Sequence, residues 1–364
     1  MFHYHGVYKN LNVPRLSICI ATYNRADVIG NTLESIISQA TDEVEIIVVD
    51  GASPDDTATV VQQYQDQCPQ LQYHRLPVKG GVDRDYCHAV SFARGTYCWL
   101  MTDDDVVKPG AVNAILERLQ QGYSLIVLNA EVRDRSLSHL MKSKLLQLDH
   151  DAVYQPSAQE DLFIETVTYL SFIGAVVIDR SLWIERDKET YLGTEFVHIG
   201  IIFQKALPHG ACVVAEPYIS IRYGNAQWSS RYFEVWMLKW PQLIWSFSGI
   251  SEAAKSRIGP REPWNSIRAL LLMRASGAYS IHEYGRFIEP RLDSRWDRFI
   301  AKTAALLPGS IPNLLAVVYY TLKTSQDFML WHGLRTSRFY YREYLRRIVT
   351  TLGKPFLSGR NMRI

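Results

Sequence analysis

The sequence predicts an α/β protein, a mostly parallel, doubly wound sheet followed by a mostly helical C-terminal region. Apolar runs of strand length alternate with amphipathic helical stretches, which is the rhythm of strand–helix–strand units. Each run exits into a polar, acidic or glycine-bearing turn, and open α/β sheets bind ligands at that strand edge. The 364 residues, 47 % of them hydrophobic, suffice for a full core and for two domains, expected at 1–225 and 226–364.

The first strand is expected at 16–21, with Thr22-Tyr23-Asn24-Arg25 as the turn at its end. Val28, Ile29, Leu33, Ile36 and Ile37 recur at helical spacing behind it. A second, almost wholly apolar strand covers 44–49 and ends in Asp50-Gly51-Ala52-Ser53-Pro54-Asp55-Asp56-Thr57. Pro54 suits the first turn of a helix capped by Ser53 and running toward Tyr64. A third strand at 71–76 leads into Lys79-Gly80-Gly81-Val82-Asp83-Arg84-Asp85-Tyr86 and a helix to about Arg94.

The strand expected at 97–101 is apolar on both faces, so it reads as buried. It runs into Asp103, Asp104 and Asp105, with Lys108-Pro109-Gly110 just after. If strand geometry persists, Asp103 and Asp105 share one side and Asp104 faces the other. Such a pair suits Mg²⁺ or Mn²⁺, which take a few carboxylates and complete their shell from water and phosphate. The alternative is an acidic cap on the next helix. That helix is expected at 109–119, a further strand at 124–132, a polar loop at 134–160, then strands at 171–178 and 219–223.

The net charge of +2 hides an asymmetry: residues 255–364 carry 19 Lys and Arg against 7 Asp and Glu, and the rest 20 against 30. A basic tail on an acidic body points to an anionic partner. Cys19, Cys68, Cys87, Cys98 and Cys212 show no C-x-x-C spacing and read as reduced thiols of a cytosolic protein. His3 and His5 read as incidental on a terminus, and the N-terminus lacks a signal-peptide pattern. No run of about 18 apolar residues argues for a membrane span. No G-x-G-x-x-G follows the first strand and no P-loop is present, which excludes the common dinucleotide and NTPase fingerprints.

Ala21-Thr22-Tyr23-Asn24-Arg25, Val49-Asp50-Gly51-Ala52-Ser53-Pro54-Asp55-Asp56-Thr57, Ala93-Arg94-Gly95-Thr96-Tyr97 and Asp103-Asp104-Asp105, in that order, resemble a family 2 glycosyltransferase of the GT-A fold. Gly81-Val82-Asp83-Arg84-Asp85-Tyr86 with Tyr97-Cys98-Trp99-Leu100 is similar to the abequosyltransferase-like branch, which works in bacterial surface-polysaccharide assembly. The resemblance spans roughly residues 15–225. It implies a nucleotide-sugar donor and a divalent cation, Mn²⁺ or Mg²⁺, in an inverting enzyme, and the basic tail, docked at a membrane, points to a lipid-linked glycan acceptor. It places Thr22, Tyr23 and Asp50 around the base and ribose and Asp83 and Arg84 at the nucleotide and diphosphate, with Asn24, Arg25, Ser53, Asp103 and Asp104 also among the donor-binding residues. Asp50 as a helix-entry cap and Arg84 paired with Asp85 or the aspartates are the alternatives. Asp103 and Asp105 resemble the metal-holding DxD motif, with Asp105 the firmer ligand. A cation there would stabilise the departing diphosphate without a proton donor.

Inverting members place an acidic pair, often Glu-Asp, where this chain has Gly193-Thr194-Glu195-Phe196-Val197-His198. Glu195 and His198 are three apart and share a face if helical, so either could be the base, Glu195 being favoured. Tyr232, Phe233, Trp236, Trp240 and Trp245 form either an acceptor platform or core. Farther on, Arg335, Arg338, Arg342 and Arg346, backed by Tyr341, Leu345, Ile348 and Leu352, read as a basic amphipathic helix. Such a helix suits an anionic membrane surface, placing the protein in the cytoplasm and peripheral on the inner membrane. Nucleic acid is not expected, since no binding module accompanies the charge. A nucleotidyltransferase is the rival enzyme, though it would want a glycine-rich basic loop after the first strand. A non-catalytic nucleotide- or membrane-binding scaffold is the rival without chemistry, kept open by the missing Glu-Asp pair.

Overall fold

The computed structural model describes residues 13–225, 231–322 and 328–342. The chain divides into two units, 1–226 with 243–258, and 227–242 with 259–364. The second segment of the first unit lies beyond the boundary expected at 225. Phe247, from that segment, packs edge-on against Phe163 with ring centroids 6.0 Å apart, and the Ser251 N–H donates to Glu160 Oε1 over 2.6 Å.

The described residues of the first unit form ten strands: β1 (Leu16–Thr22), β2 (Val44–Asp50), β3 (Leu71–Arg75), β4 (Tyr97–Met101), β5 (Val106–Val107), β6 (Leu125–Arg133), β7 (Leu140–Lys142), β8 (Ala152–Tyr154), β9 (Val176–Asp179) and β10 (Ala211–Arg222). Their order is β3-β2-β1-β4-β9-β6-β10-β5, with β7 on β6 and β8 on β10. β3, β2, β1 and β4 are parallel, as are β6 and β10, whereas β9 runs antiparallel between β4 and β6. All seven residues of β2 and all five of β4 are buried, which is why those runs are apolar on both faces apart from Glu45 and Asp50 of β2.

The connecting helices are α1 (Ile29–Ile37), α2 (Thr57–Gln65), α3 (Val82–Phe92), α4 (Ala111–Leu119), α5 (Gln159–Thr166), α6 (Arg180–Glu185) and α7 (Val197–Phe203). Ile29, Leu33 and Ile36 of α1 join Ile18, Ile46 and Trp99 in the core. Gly95 turns the chain into β4 against β1: a Cβ there would stand 2.5 Å from Ser17 Oγ and 2.7 Å from its backbone nitrogen. The Ala93–Tyr97 motif is therefore a packing requirement of the sheet.

Several expectations change. α2 begins at Thr57, so Pro54 lies ahead of the helix and Ser53 does not cap it. The polar stretch 134–160 contains β7 and β8, and 171–175 is 3₁₀ turn, leaving only Val176–Asp179 as strand. The short edge strand β5 has no counterpart in the sequence reading.

The second unit is helical. Phe233 stacks on Tyr279 with centroids 5.0 Å apart, and the Tyr279 hydroxyl donates to the Ala301 carbonyl at 3.0 Å. Phe233 is thus core, and Trp240 is buried. The helix Ser310–Leu322 packs beside Ile267–Ser276 and Phe328–Thr336, and Asn313 Nδ2 donates to the carbonyls of Ala275 (3.0 Å) and Leu334 (2.9 Å). The expected basic helix does not run through. Helical structure stops at Thr336 and resumes only at Tyr341, so Arg335, Arg338 and Arg342 do not line one helix. Leu345, Arg346, Ile348 and Leu352, like His3 and His5, lie outside the described residues. No single described helix is long and apolar enough to cross a membrane. The five cysteines are free.

Candidate active site

Because β2, β1 and β4 are parallel neighbours, the loops at their C-terminal ends emerge side by side. The first two are stitched together by backbone donors. The Asn24 N–H donates to Ser53 Oγ (2.9 Å), Arg25 N–H to Thr57 Oγ1 (2.9 Å) and Ala26 N–H to Asp55 Oδ2 (3.0 Å). Asn24, in the left-handed region at φ 57°, is among the residues that tolerate such a turn. Ser53, expected at the nucleotide, therefore braces the loop that presents Tyr23 and Arg25. Thr22 is buried at the end of β1, and the ammonium of Lys79 sits 3.4 Å from the centroid of the Tyr23 ring. Asp50 is fully enclosed. Its Oδ1 accepts the Ser53 N–H (2.8 Å) and its Oδ2 the Tyr73 hydroxyl (2.6 Å), with the Arg75 guanidinium 3.8 Å away.

The chain leaves strand geometry after Met101, so the expected alternation of the three aspartates does not hold. Asp103 and Asp104 turn toward the same cation instead: Arg25 Nε lies 3.2 Å from Asp103 Oδ1 and Nη2 3.4 Å from Asp104 Oδ2. Asn225 Nδ2 also donates to Asp104 Oδ2 at 3.1 Å. Asp105 points inward. Its Oδ1 accepts the Arg222 N–H (2.7 Å), its Oδ2 the Thr102 hydroxyl (2.6 Å), and only 3 % of the residue is exposed. Burial drives Asp103 up to about 7 against the pull of Arg25, and Asp105 to about 8, with Asp104 raised for the same reason. Three enclosed carboxylates face the Arg25 guanidinium shared by Asp103 and Asp104 and the Arg222 guanidinium beside Asp104, a cluster with more carboxylates than cations.

Among the described residues no three His, Cys, Asp or Glu side chains could by themselves enclose a metal ion. Asp103 and Asp104 fit the other kind of site, in which Mg²⁺ or Mn²⁺ takes one or two carboxylates and completes its shell from water and substrate phosphate.

α3 ties this edge to the loop that carries Glu195. Asp83, expected at the diphosphate, is buried, and its carboxylate accepts three backbone N–H groups, from Gly193 (2.8 Å), Glu195 (2.9 Å) and Val197 (3.1 Å). Glu195 is held there at φ 73°, a strained conformation for a residue with a Cβ. The next carboxylate, Asp85, is pushed by burial to about 6, and a Cβ on Gly51 would come within 2.8 Å of its Oδ2. Tyr86 donates to the Met101 carbonyl (2.9 Å) directly below the aspartates. Arg84, between them, is exposed and forms no ion pair among the described residues, so the alternative of its pairing with Asp85 or the aspartates falls away.

His198 is not on a shared face with Glu195, because α7 starts at Val197 and Glu195 precedes it. The imidazole is 1 % exposed and Nε2 lies 2.8 Å from the Leu170 carbonyl, which can only accept, while Nδ1 has no partner. Burial lowers its pKa to about 4. A neutral, enclosed imidazole cannot reach an acceptor hydroxyl, and the expectation that it could serve as base is corrected. Arg222, Asn225 and Thr102 hold the aspartates and were missed. Arg222 lies 117 residues from its Asp105 partner, and no local pattern signals that contact.

Residues 17–177 match the family model described as glycosyl transferase family 2. The abequosyltransferase RfbV of Salmonella typhimurium is 23 % identical over 58 % of this chain and 67 % of its own length. A GalNAc(5)-diNAcBac-PP-undecaprenol beta-1,3-glucosyltransferase of Campylobacter jejuni is 28 % identical over 38 % of this chain, a match spanning less than half (46 %) of that enzyme. Among solved structures, S. aureus TarS 1–349 in complex with UDP-GlcNAc is similar, with a TM-score of 0.51, 17 % identity, and 92 % and 91 % of the two chains covered. That likeness speaks for the fold, a GT-A sheet.

Proposed function

With residues 17–177 a family 2 glycosyltransferase domain, we propose that the protein moves a sugar from a nucleotide-sugar donor to a lipid-linked glycan acceptor in bacterial surface-polysaccharide synthesis. The observation that carries this reading is the pairing of Asp103 and Asp104 on Arg25 at the strand edge, with Glu195 clamped by α3, whose Tyr86 lies under that edge. The acceptor class is supported by the similar Campylobacter jejuni enzyme, whose name includes PP-undecaprenol.

In this reading Tyr23, Asn24 and Asp50 lie around the base and ribose, and Arg84 and Lys79 offer positive charge to the diphosphate. Asp103 and Asp104 hold a divalent cation whose chemistry is to neutralise the departing diphosphate. The ligand pair thus shifts by one residue from that expected in the sequence, because Asp105 anchors the loop from below. Glu195 takes the proton of an acceptor hydroxyl as its oxygen bonds to the anomeric carbon. The bond from that carbon to the diphosphate oxygen breaks on the opposite face, the nucleoside diphosphate leaves with the electron pair, and configuration inverts. Glu195, half-buried in the loop just ahead of α7, is the chain's substitute for the acidic pair of its relatives.

The test is donor turnover. Glu195→Gln should lower transfer by roughly 10²- to 10⁴-fold, the usual contribution of a general base. Nucleotide binding should be retained. Unchanged transfer would remove Glu195 from the mechanism. Loss of nucleotide binding as well would indicate that it acts on the donor instead.

A further inference from the structure

We propose that the outward face of the helix Ser310–Leu322 is a docking surface for an anionic lipid bilayer. The helix carries no charged residue. Its inner side is bonded and packed through Asn313 and Val317 against neighbouring helices of the second unit. Its outer side presents Ile311, Leu314, Leu315, Val318 and Leu322, 47 to 80 % exposed, at spacings of three, one, three and four that form one stripe. Contiguous exposed apolar patches of this kind mark interaction sites. The preceding helix, Arg295–Leu306, bent 88° from this one, carries Trp296 and Phe299, exposed and stacked with centroids 5.6 Å apart.

Charge selects the partner. Arg295 and Lys302 lie four before and three after Phe299, on the same exposed side, and the Arg268 guanidinium stands 5.5 Å over the Tyr319 ring. Residues 255–364 hold 19 Lys and Arg against 7 Asp and Glu. An apolar stripe with the Arg268 guanidinium against its Tyr319, in a strongly cationic part of the chain, matches the boundary between acyl chains and anionic headgroups. A second copy of this chain would set like charges against each other across a two-fold interface. The 13-residue helix is about 20 Å long, short of the roughly 30 Å hydrocarbon core, so it lies in the interface and does not cross. The surface differs from the Arg335–Leu352 segment that the sequence indicated, and the proposal rests on the reading of a lipid-linked acceptor.

The experiment is co-sedimentation of the full chain with vesicles of phosphatidylglycerol and phosphatidylethanolamine, roughly 1:2, and with phosphatidylcholine alone. The wild type should bind the anionic vesicles, less strongly at high salt, and the neutral ones weakly. Leu315→Asp with Val318→Asp should weaken binding at least about tenfold. Leu315→Gln with Val318→Gln, without new charge, should give an intermediate loss, and Ile184→Asp on exposed α6 should change nothing. Equal binding by all variants, or none by the wild type, would overturn the proposal. So would a solution dimer that the Leu315/Val318 variants dissociate, since it would assign the face to a second copy. No donor or acceptor enters this assay, whereas nucleotide binding tests the glycosyltransferase reading without lipid, so either can fail alone.

Discussion

Asp83 and His198 show how a single residue type can serve two purposes that only structure separates. As a carboxylate beside an arginine in a nucleotide-sugar enzyme, Asp83 reads as a donor contact, yet it accepts three amides of the Glu195 loop. Asp83→Asn replaces two acceptor oxygens by one and leaves buried N–H groups unpaired, at about 1–3 kcal/mol each. Its expected signature is a large fall in transfer with nucleotide binding intact, measured by turnover beside thermal shift. A fall in nucleotide binding alone would return Asp83 to the donor. His198 gives a pH prediction. Its folded pKa near 4 lies below the ordinary 6.5, so folding excludes the proton. The stability this confers is full above about pH 6.5 and is lost as pH falls through 4, by up to about 3 kcal/mol. His198→Gln, which can still donate to the Leu170 carbonyl, should flatten that part of the acid-stability profile measured by denaturant unfolding. An unchanged slope would assign it to other groups.

At the scale of elements, the parallel strands and their exits were legible because fully buried strands are apolar on both faces and their ends carry turn chemistry. β1, β2, β4 and the loops after them stand where the sequence put them. What remained hidden depends on contacts far along the chain. β5 is two residues long and exists through its pairing with β10, and the strands in 134–160 borrow their partners from β6 and β10. The direction of the aspartates could not be read, since the turn after Met101 is set by Arg222 and Thr102 gripping Asp105. Short motifs also proved structural: Gly95 serves close packing of the α3–β4 turn on β1, and Arg94 bonds Glu45 of β2. Gly95→Ala should destabilise the first unit by about 1–3 kcal/mol, as overpacking does, seen as a lower melting temperature with the nucleotide-induced shift preserved. A neutral outcome would mean that the turn can move away from Ser17.

For the whole molecule, a mixed sheet built mostly from parallel strands gathers the ends of β1, β2 and β4, and α3 fastens to them the Glu195 loop, which lies more than a hundred residues later. The central claim is that Asp103 and Asp104, short of positive charge beside Arg25, share a divalent cation with a nucleoside diphosphate. Thermal stabilisation of the purified chain by UDP, GDP, CDP and dTDP, each with and without Mn²⁺, measures it directly, because a ligand bound to the native state raises the melting temperature by mass action. The account predicts a shift with one nucleotide that requires Mn²⁺ and disappears in Asp103→Asn with Asp104→Asn. No shift with any nucleotide, or a shift that survives in that variant, would contradict it.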